Sequence, residues 1–255
     1  MPAEALVVFS DAHLGYAPPE TETALLEFLD RVPEIGDALL VNGDLFEFWF
    51  AYEQVIPRGG FRVAAALGRL ARRVPVAMVG GNHDRWGRPF WERELGVRFA
   101  RDRLELAVGA RRVIALHGDA VSYGRARSRA LHGLVRLPVT STLYRALHPE
   151  LGVPLVRWLA GRLGDHALAG DTVDRGAALQ REWAERLLAA DPSVGLLILG
   201  HTHRAALTEP APGRQYLNPG AWFDGFRYAV ATGSGAELRQ FTPSEPLRRP
   251  SAGRR

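Results

Sequence analysis

Five short apolar runs in this chain each end in a cluster of aspartate, asparagine or histidine with a glycine in or beside it. The clusters are Ser10-Asp11-Ala12-His13, Asn42-Gly43-Asp44, Gly81-Asn82-His83-Asp84, His117-Gly118-Asp119 and Gly200-His201-Thr202-His203. Apolar runs of this length predict buried strands, and helical patterns lie between several of them. In open α/β sheets, ligands bind at the carboxyl ends of the strands. The pattern therefore predicts an α/β fold with a polar site at that edge.

The predicted elements alternate along the chain, except in one long segment. Helices are predicted over 18–32 and 61–73, a hairpin over 103–116, and strands over 5–9, 37–41, 74–79, 195–199, 205–208, 215–217, 226–232 and 236–241. Residues 122–190 show no clear strand, which predicts a helical insertion of the kind that often forms a lid. The predicted organisation is one domain over 1–241 that contains this insertion. The Pro- and Arg-rich tail over 242–255 is predicted to be disordered.

Composition excludes some chemistry and favours other kinds. None of the 255 residues is a cysteine, so disulfides, thiolate metal sites and cysteine nucleophiles are excluded. All 32 basic residues are arginine, whose guanidinium group suits phosphate ligands. The amino terminus lacks the pattern of a signal peptide, and no apolar run is long enough to span a bilayer. The sequence therefore predicts a cytoplasmic protein.

Each polar cluster on its own has a structural explanation. An Asp-x-His, a Gly-Asp or a lone histidine is more often part of a turn than a ligand. Turn chemistry does not explain why five separate strand ends should carry side chains that donate nitrogen and oxygen to metals. The set as a whole favours a functional site.

In this order, the five clusters resemble the signature blocks of the calcineurin-like metallophosphoesterase superfamily: Asp-x-His, Gly-Asp, Gly-Asn-His-Asp, a single His and Gly-His-x-His. The resemblance implies a two-sheet αββα sandwich and two divalent cations, with a metal-bound hydroxide attacking a phosphoryl group. It also implies a set of metal ligands. One cation would be held by Asp11, His13 and His203. The other would be held by Asn82, His117 and His201, and Asp44 would bridge the two.

The donor types support this resemblance on chemical grounds. Carboxylate and amide oxygens with imidazole nitrogens, and no sulfur, suit Mn, Fe or Zn. The family favours Mn. Two such cations can stabilise both the attacking and the leaving oxygen of a phosphoryl group.

His83 follows Asn82 directly and is not a member of the implied ligand set. The resemblance makes it the catalytic group that stabilises the transition state or donates a proton to the leaving oxygen, with Asp84 orienting its imidazole. A purely structural role beside the metals is the alternative. The block Asn218-Pro219-Gly220 is also family-like and is interpreted as structural.

Two stretches, GDLFEFWFAYEQVIPRGGF after Asn42 and LYRALHPELG within 122–190, are similar to the UDP-2,3-diacylglucosamine diphosphatases of lipid A synthesis. This resemblance implies hydrolysis of the pyrophosphate of a UDP-linked diacyl sugar, with the insertion covering the acyl chains. The candidate substrate-binding residues are Arg85, Arg125, Arg157 and Trp158. A basic, apolar lid favours peripheral contact with the inner membrane. The same apolar residues could instead pack the insertion onto the core.

Three other hypotheses remain at this point. A general phosphodiesterase or phosphatase acting on nucleotides or other small phosphoesters would keep the chemistry and change the substrate. A nuclease is suggested by the arginine content, but the arginines are scattered without a basic run that interleaves aromatics, so no nucleic-acid partner is expected. An inactive scaffold should have lost metal ligands, and none of the seven implied ligands is missing.

Overall fold

The computed structural model describes residues 2–50, 52, 54–122, 144, 147–152, 154–155 and 170–244. The strands in these ranges are β1 (Pro2–Ala3), β2 (Ala5–Phe9), β3 (Ala38–Asn42), β4 (Val76–Val79), β5 (Arg98–Ala100), β6 (Leu104–Val108), β7 (Arg111–Ala115), β8 (Val194–Ile198), β9 (Ala206–Ala211), β10 (Arg214–Asn218), β11 (Arg227–Thr232) and β12 (Ala236–Gln240). The α-helices are α1 (Pro19–Ile35), α2 (Phe61–Leu70), α3 (Arg88–Arg93), α4 (Asp119–Ser122) and α5 (Gly170–Ala190).

The first sheet has the strand order β12-β11-β2-β3-β4-β5. Its strands are parallel from β2 to β5, and α1 and α2 supply the crossovers from β2 to β3 and from β3 to β4. The register places Phe9 beside Val41 and Asn42 beside Val79. Three chain segments therefore leave the sheet at the same edge, immediately before the first three polar clusters.

The second sheet has the strand order β1-β6-β7-β8-β10-β9. Strands β7 and β8 are parallel, with Ala115 opposite Ile198, and β10 is parallel to β8. The loops that carry His117 and His201 therefore emerge side by side. The predicted hairpin is present as β6 and β7, which pair antiparallel from Leu104 to Ala115.

The period-two alternation of side chains builds three apolar layers. Alternate residues of both sheets, among them Leu6, Val8, Leu40, Val113, Leu196 and Ile198, are buried between the sheets. Their sequence neighbours Val7 and Phe9 pack instead under α1 and α2. Ile114 and Leu197 pack under α5. The predicted αββα sandwich is confirmed.

Helix α5 closes the outer face of the second sheet. Ala184 and Leu188 are buried there against β7, β8 and β10. This helix lies within the interval 122–190 that was predicted as a lid, and its apolar stripe makes it a core helix instead. Most of the remaining interval, 123–143 and 156–169, lies outside the described residues, and a lid there stays a prediction.

The start of the carboxyl-terminal tail is attached to α1. Glu27 accepts hydrogen bonds from the backbone nitrogen of Ser244 at 3.0 Å and from its hydroxyl at 2.6 Å. The predicted disorder over 242–255 is therefore wrong for 242–244. Residues 245–255 lie outside the described part of the chain.

Candidate metal centre

The loops after β2, β3, β4, β7 and β8 meet where the two sheets present their carboxyl edges. Three groups of side chains there could each hold a metal ion, with ligand atoms within 4.8 Å of one another: Asp11–His13–His203, His13–Asp44–His83 and Asp44–His117–His201. The groups share His13 and Asp44, so they form one continuous cluster. Six of the seven predicted ligands belong to it, together with His83.

Asp44 lies at the middle of this cluster. Its Oδ2 is 3.0 Å from His117 Nε2, 3.8 Å from His13 Nε2 and 3.9 Å from His83 Nε2. Burial raises the pKa of Asp44, but the charges of His117 and His83 outweigh burial and hold that pKa well below its usual range. The carboxylate is therefore ionised at neutral pH and faces both halves of the cluster, as a bridging ligand must.

Hydrogen bonds fix which ring nitrogen His13 and His117 present to the cluster. His117 Nδ1 donates to the carbonyl of Asn42 at 3.0 Å, and His13 Nδ1 bonds Glu47 Oε2 at 3.0 Å. The Nε2 atoms are left facing the centre, and those of His13 and His203 lie 3.3 Å apart. Ligand histidines in metalloproteins are oriented through their second ring nitrogen in this way.

Glu47 is a functional residue that the sequence analysis missed. Its side chain orients His13, and its backbone carbonyl accepts a hydrogen bond from His83 Nδ1 at 2.7 Å. The segment after Asp44 has no ligand motif of its own, and its resemblance is to one enzyme family. An acidic residue three positions after the predicted bridging aspartate was the available signal.

Within the described residues, Asn82 Oδ1 is a buried polar atom at the centre that has no hydrogen-bond partner. His117 Nε2, also buried, makes no aligned hydrogen bond and faces the Asp44 carboxylate as an ion pair. Buried polar groups are nearly always paired, and orphaned atoms call for an explanation such as an ion. Both atoms belong to the predicted ligands of the second cation. The donor set and these two atoms together fit divalent cations.

The backbone is strained at most of these ligands. Asp11, His13, Asp44, His201 and His203 have φ between 44° and 67°, and only one other non-glycine residue in the described ranges, Phe226, has a positive φ. Such conformations cost about 1–3 kcal/mol each and persist where the surroundings enforce them. The strain coincides with the ligands and supports a functional role for these turns.

Two glycines are required by close approaches within the site. A Cβ at Gly81 would lie 2.0 Å from Asp44 Oδ1, and a Cβ at Gly43, where φ is +88°, would lie 2.3 Å from His117 Nδ1. Any side chain at either position would displace a ligand. These contacts explain why glycine precedes Asn82 and Asp44.

Asp84 was predicted to orient the imidazole of His83, and its described hydrogen bonds are instead with backbone groups. One of its carboxylate oxygens accepts from the backbone nitrogen of Leu45 at 2.7 Å and the other from that of Gly81 at 2.8 Å. Burial, reinforced by the charge of Asp44, raises the pKa of Asp84 to about 6. Asp84 therefore ties together the loops after β3 and β4, while the Glu47 carbonyl orients His83.

Arg85 was predicted to bind substrate, a role that stays a prediction, and the structure places its side chain in ion pairs. Its side chain is 3% exposed, is ion-paired with Asp102 and lies 3.8 Å from Asp119 Oδ2. The guanidinium group is committed to joining the start of α4 to the loop before β6. The burial of this side chain favours a structural role over substrate binding.

Replacing Arg85 should therefore affect stability and not substrate affinity. Arg85→Met removes the guanidinium group that pairs with Asp102 and faces the buried Asp119, and we expect the free energy of unfolding to fall by about 3 kcal/mol. Urea denaturation measures this loss, and steady-state kinetics should give an unchanged KM. The matched control is Arg103→Met, because Arg103 pairs with Glu105 on the surface and should cost under about 1 kcal/mol. A raised KM with unchanged stability would support the substrate-binding role.

The remaining candidate substrate residues, Arg125, Arg157 and Trp158, lie outside the described residues. Their roles stay predictions. The Asn218 block is structural, as expected, because its amide oxygen accepts from the backbone nitrogen of Gly220 at 2.9 Å.

Comparison with known proteins gives one family match and several relatives. The family model described as calcineurin-like phosphoesterase matches residues 5–205, a range that contains every predicted metal ligand. A UDP-2,3-diacylglucosamine hydrolase of Porphyromonas gingivalis is 30% identical over 258 residues, which cover 92% of this chain and 97% of the relative. A protein of the same name from Escherichia coli O7:K1 is 28% identical over 243 residues, covering 93% and 99%.

A solved phosphoesterase structure from E. coli covers 89% of this chain and 87% of its own length, with 16% identity and a TM-score of 0.41. Because this TM-score is low, the family assignment depends on the family model and the sequence relatives.

Proposed function

Because this chain belongs to the calcineurin-like phosphoesterase family and is a metal-dependent phosphoesterase, we propose that it hydrolyses the pyrophosphate bond of a UDP-linked diacyl sugar. The observation that carries the proposal is the cluster of predicted ligands at the joined sheet edges, with an apolar groove directly beside it. The first feature supports the reaction and the second supports an acylated substrate.

The proposed centre holds two divalent cations, with Mn favoured over Fe and Zn. One cation would be bound by Asp11, His13 and His203. The second would be bound by Asn82, His117 and His201, and Asp44 would contact both. Bound cations of this kind supply positive charge for the phosphoryl oxygens and make a hydroxide nucleophile available at neutral pH. The buried, ionised aspartates would hold them, and the oriented imidazoles would fix their positions.

His83 is the proposed proton donor to the leaving oxygen. With Nδ1 donating to the Glu47 carbonyl, Nε2 faces the cluster at 3.9 Å from Asp44 Oδ2. Burial lowers the pKa of His83, but the carboxylates of Asp44, Glu47 and Asp84 outweigh burial and raise that pKa. These carboxylates favour a proton on Nε2, which the ring would transfer when the bond to phosphorus breaks.

The groove beside the centre is the proposed acyl-chain site. It encloses about 340 Å³ and shares Leu14 and Glu47 with the surroundings of His13. Its walls are mostly apolar and aromatic, from Phe46, Phe48, Trp49, Phe50, Tyr52, Val55, Ile56 and Pro57. Each methylene buried there contributes about 0.8 kcal/mol, so an acylated substrate gains affinity that a simple nucleotide lacks.

Exposed apolar residues surround the mouth of this groove. Val55 and Ile56 line it and are each 48% exposed. Four more exposed apolar residues are direct sequence neighbours of other lining residues: Tyr16, Phe61, Leu151 and Leu155. A surface of this kind suits peripheral contact with a lipid bilayer, here the cytoplasmic face of the inner membrane. In the described ranges, no helix is long and apolar enough to cross a membrane.

The substrate is tested by direct comparison. With Mn²⁺ present, we expect kcat/KM for UDP-2,3-diacylglucosamine to exceed that for bis-p-nitrophenyl phosphate by more than about 100-fold, because of acyl burial in the groove. UMP should appear among the products. Turnover of the simple diester alone would remove the lipid proposal and leave a general phosphodiesterase.

A pair of variants connects this preference to the groove. Ile56→Gln should raise KM for the acylated substrate and leave the simple diester unaffected. Leu238→Gln is the matched control, because Leu238 is also an exposed apolar residue, 38% exposed, but lies on β12. Equal effects of both variants would argue against the groove as the acyl site.

A further inference from the structure

One buried side chain joins two loops of the metal centre to helix α5. Gln180 is 0% exposed, and its amide nitrogen donates to the carbonyls of Gly118 at 3.3 Å and Gly200 at 2.9 Å. Its amide oxygen accepts from the hydroxyl of Thr202 at 3.3 Å. Gly118 is in the loop after β7, and Gly200 and Thr202 are in the loop after β8. The side chain therefore bonds both loops that the second sheet contributes to the site.

Each of these three partners is adjacent in sequence to a predicted metal ligand. Gly118 follows His117, Gly200 precedes His201, and Thr202 lies between His201 and His203. A shift of either loop against α5 would therefore move an imidazole. Metal sites require ligand distances within about 0.2 Å of their preferred values, so such a shift would weaken cation binding.

The rest of the network holds Gln180 in place. Its amide nitrogen has two hydrogens for three acceptors, because it also lies 2.8 Å from Ser122 Oγ, so one N–H is shared between two of them. Its oxygen accepts from the hydroxyl of Tyr216 at 3.3 Å. Asn218 Nδ2 donates to the same Gly200 carbonyl at 3.1 Å. A Cβ at Gly118, where φ is +106°, would lie 2.4 Å from Gln180 Nε2. Both ends of the amide are satisfied, and buried networks of this kind specify one arrangement of their members.

We propose that Gln180 is a positioning residue for the cation bound by Asn82, His117 and His201. The inference rests on the two-cation centre of the proposed function. Two of the three terminal ligands of this cation belong to loops that Gln180 holds. The other cation is expected to be less sensitive, because Asp11 and His13 come from the first sheet and Glu47 orients His13 independently.

Titration with Mn²⁺ alone, followed by calorimetry, tests the proposal. Gln180→Met keeps the volume of the side chain and removes every hydrogen bond. We expect the dissociation constant of one of the two Mn²⁺ ions to rise by roughly 10–100-fold, the range found when partners of metal ligands are lost. Turnover should fall at limiting Mn²⁺ and recover at saturating Mn²⁺, since the reacting groups are intact.

Leu188→Ala separates positioning from simple destabilisation. Leu188 is 1% exposed on the same face of α5 and lies in the apolar cluster with β7, β8 and β10. Leu188→Ala should lower the melting temperature by at least as much as Gln180→Met does, and it should leave both Mn²⁺ affinities unchanged. Loss of Mn²⁺ affinity in Leu188→Ala equal to that in Gln180→Met would overturn the positioning role.

Tyr216→Phe provides a milder change that keeps the proposal testable if Gln180→Met does not fold. It removes one hydroxyl donor to the Gln180 oxygen, and one Mn²⁺ affinity should weaken by roughly 2–10-fold. Unchanged affinities in the variants, with two ions bound to the wild-type protein, would overturn the positioning role alone. A wild-type protein that binds fewer than two ions would overturn the proposed two-cation centre as well.

Discussion

Asp44→Asn is expected to abolish turnover almost completely while the protein stays folded. The Oδ1 atom of Asp44 accepts the backbone N–H of His83 at 3.0 Å, so the amide oxygen of asparagine will occupy that position. The NH₂ group must then point toward the imidazoles of His117 and His13, where the carboxylate oxygen lies now. Both cations would lose a shared anionic ligand and meet a donor that cannot bind them. Loss of a hydrogen-bond partner of a metal ligand alone lowers metal affinity or activity by about 10–100-fold. Because Asp44 is itself a proposed ligand, we expect kcat to fall by more than about 10³-fold.

The same chemical change on the surface is the control for Asp44→Asn. Asp191→Asn alters an exposed carboxylate that contacts Arg112 and Ser193, and it should leave turnover and metal content unchanged. Kinetics and elemental analysis of both variants give the comparison. Wild-type activity with two bound ions in Asp44→Asn would contradict the bridging role.

His83→Gln should lower kcat by about 10²–10⁴-fold without loss of metal, because it removes a proton donor and leaves the ligands in place. The loss should depend on the leaving group. The phenolate of a phenyl phosphodiester needs a proton to leave, because the pKa of a phenol is about 10, whereas the p-nitrophenolate of the matching p-nitrophenyl ester leaves readily without one. We therefore expect a much smaller loss of kcat with the p-nitrophenyl ester.

Two results would count against this role of His83. An equal loss with both substrates would indicate that His83 acts on the transition state in some other way than proton donation. Release of a cation from His83→Gln would make His83 a ligand, which its grouping with His13 and Asp44 allows geometrically.

The parts of the fold that depend on local pattern were predictable from the sequence. The strands Ala5–Phe9, Ala38–Asn42 and Val194–Ile198 consist of apolar residues, apart from Asn42 and Gly195, because both faces of each strand are covered. Parallel strands align their carboxyl ends, so the polar residues after them had to meet. Strand β5, with three residues, and the short helix α3 were not predicted, because elements this short are too brief to show a hydrophobic period.

The direction of individual side chains was not predictable. Asp84 and Arg85 follow His83 in sequence, yet both side chains are buried in contacts that join loops, and neither faces the centre. Conversely, Glu47 and Gln180 contact the site from segments without a ligand motif. A motif indicates which chain segments meet, while the hydrogen bonds of the folded chain determine what each side chain contacts.

The central claim is that loops from both sheets bind a pair of divalent cations around Asp44. Anomalous diffraction from crystals grown with Mn²⁺ tests it most directly. The account predicts two peaks at the joined sheet edges, one beside Asp11, His13 and His203 and one beside Asn82, His117 and His201, with the Asp44 carboxylate touching both. No peak among these residues, or ions bound only elsewhere on the protein, would contradict it.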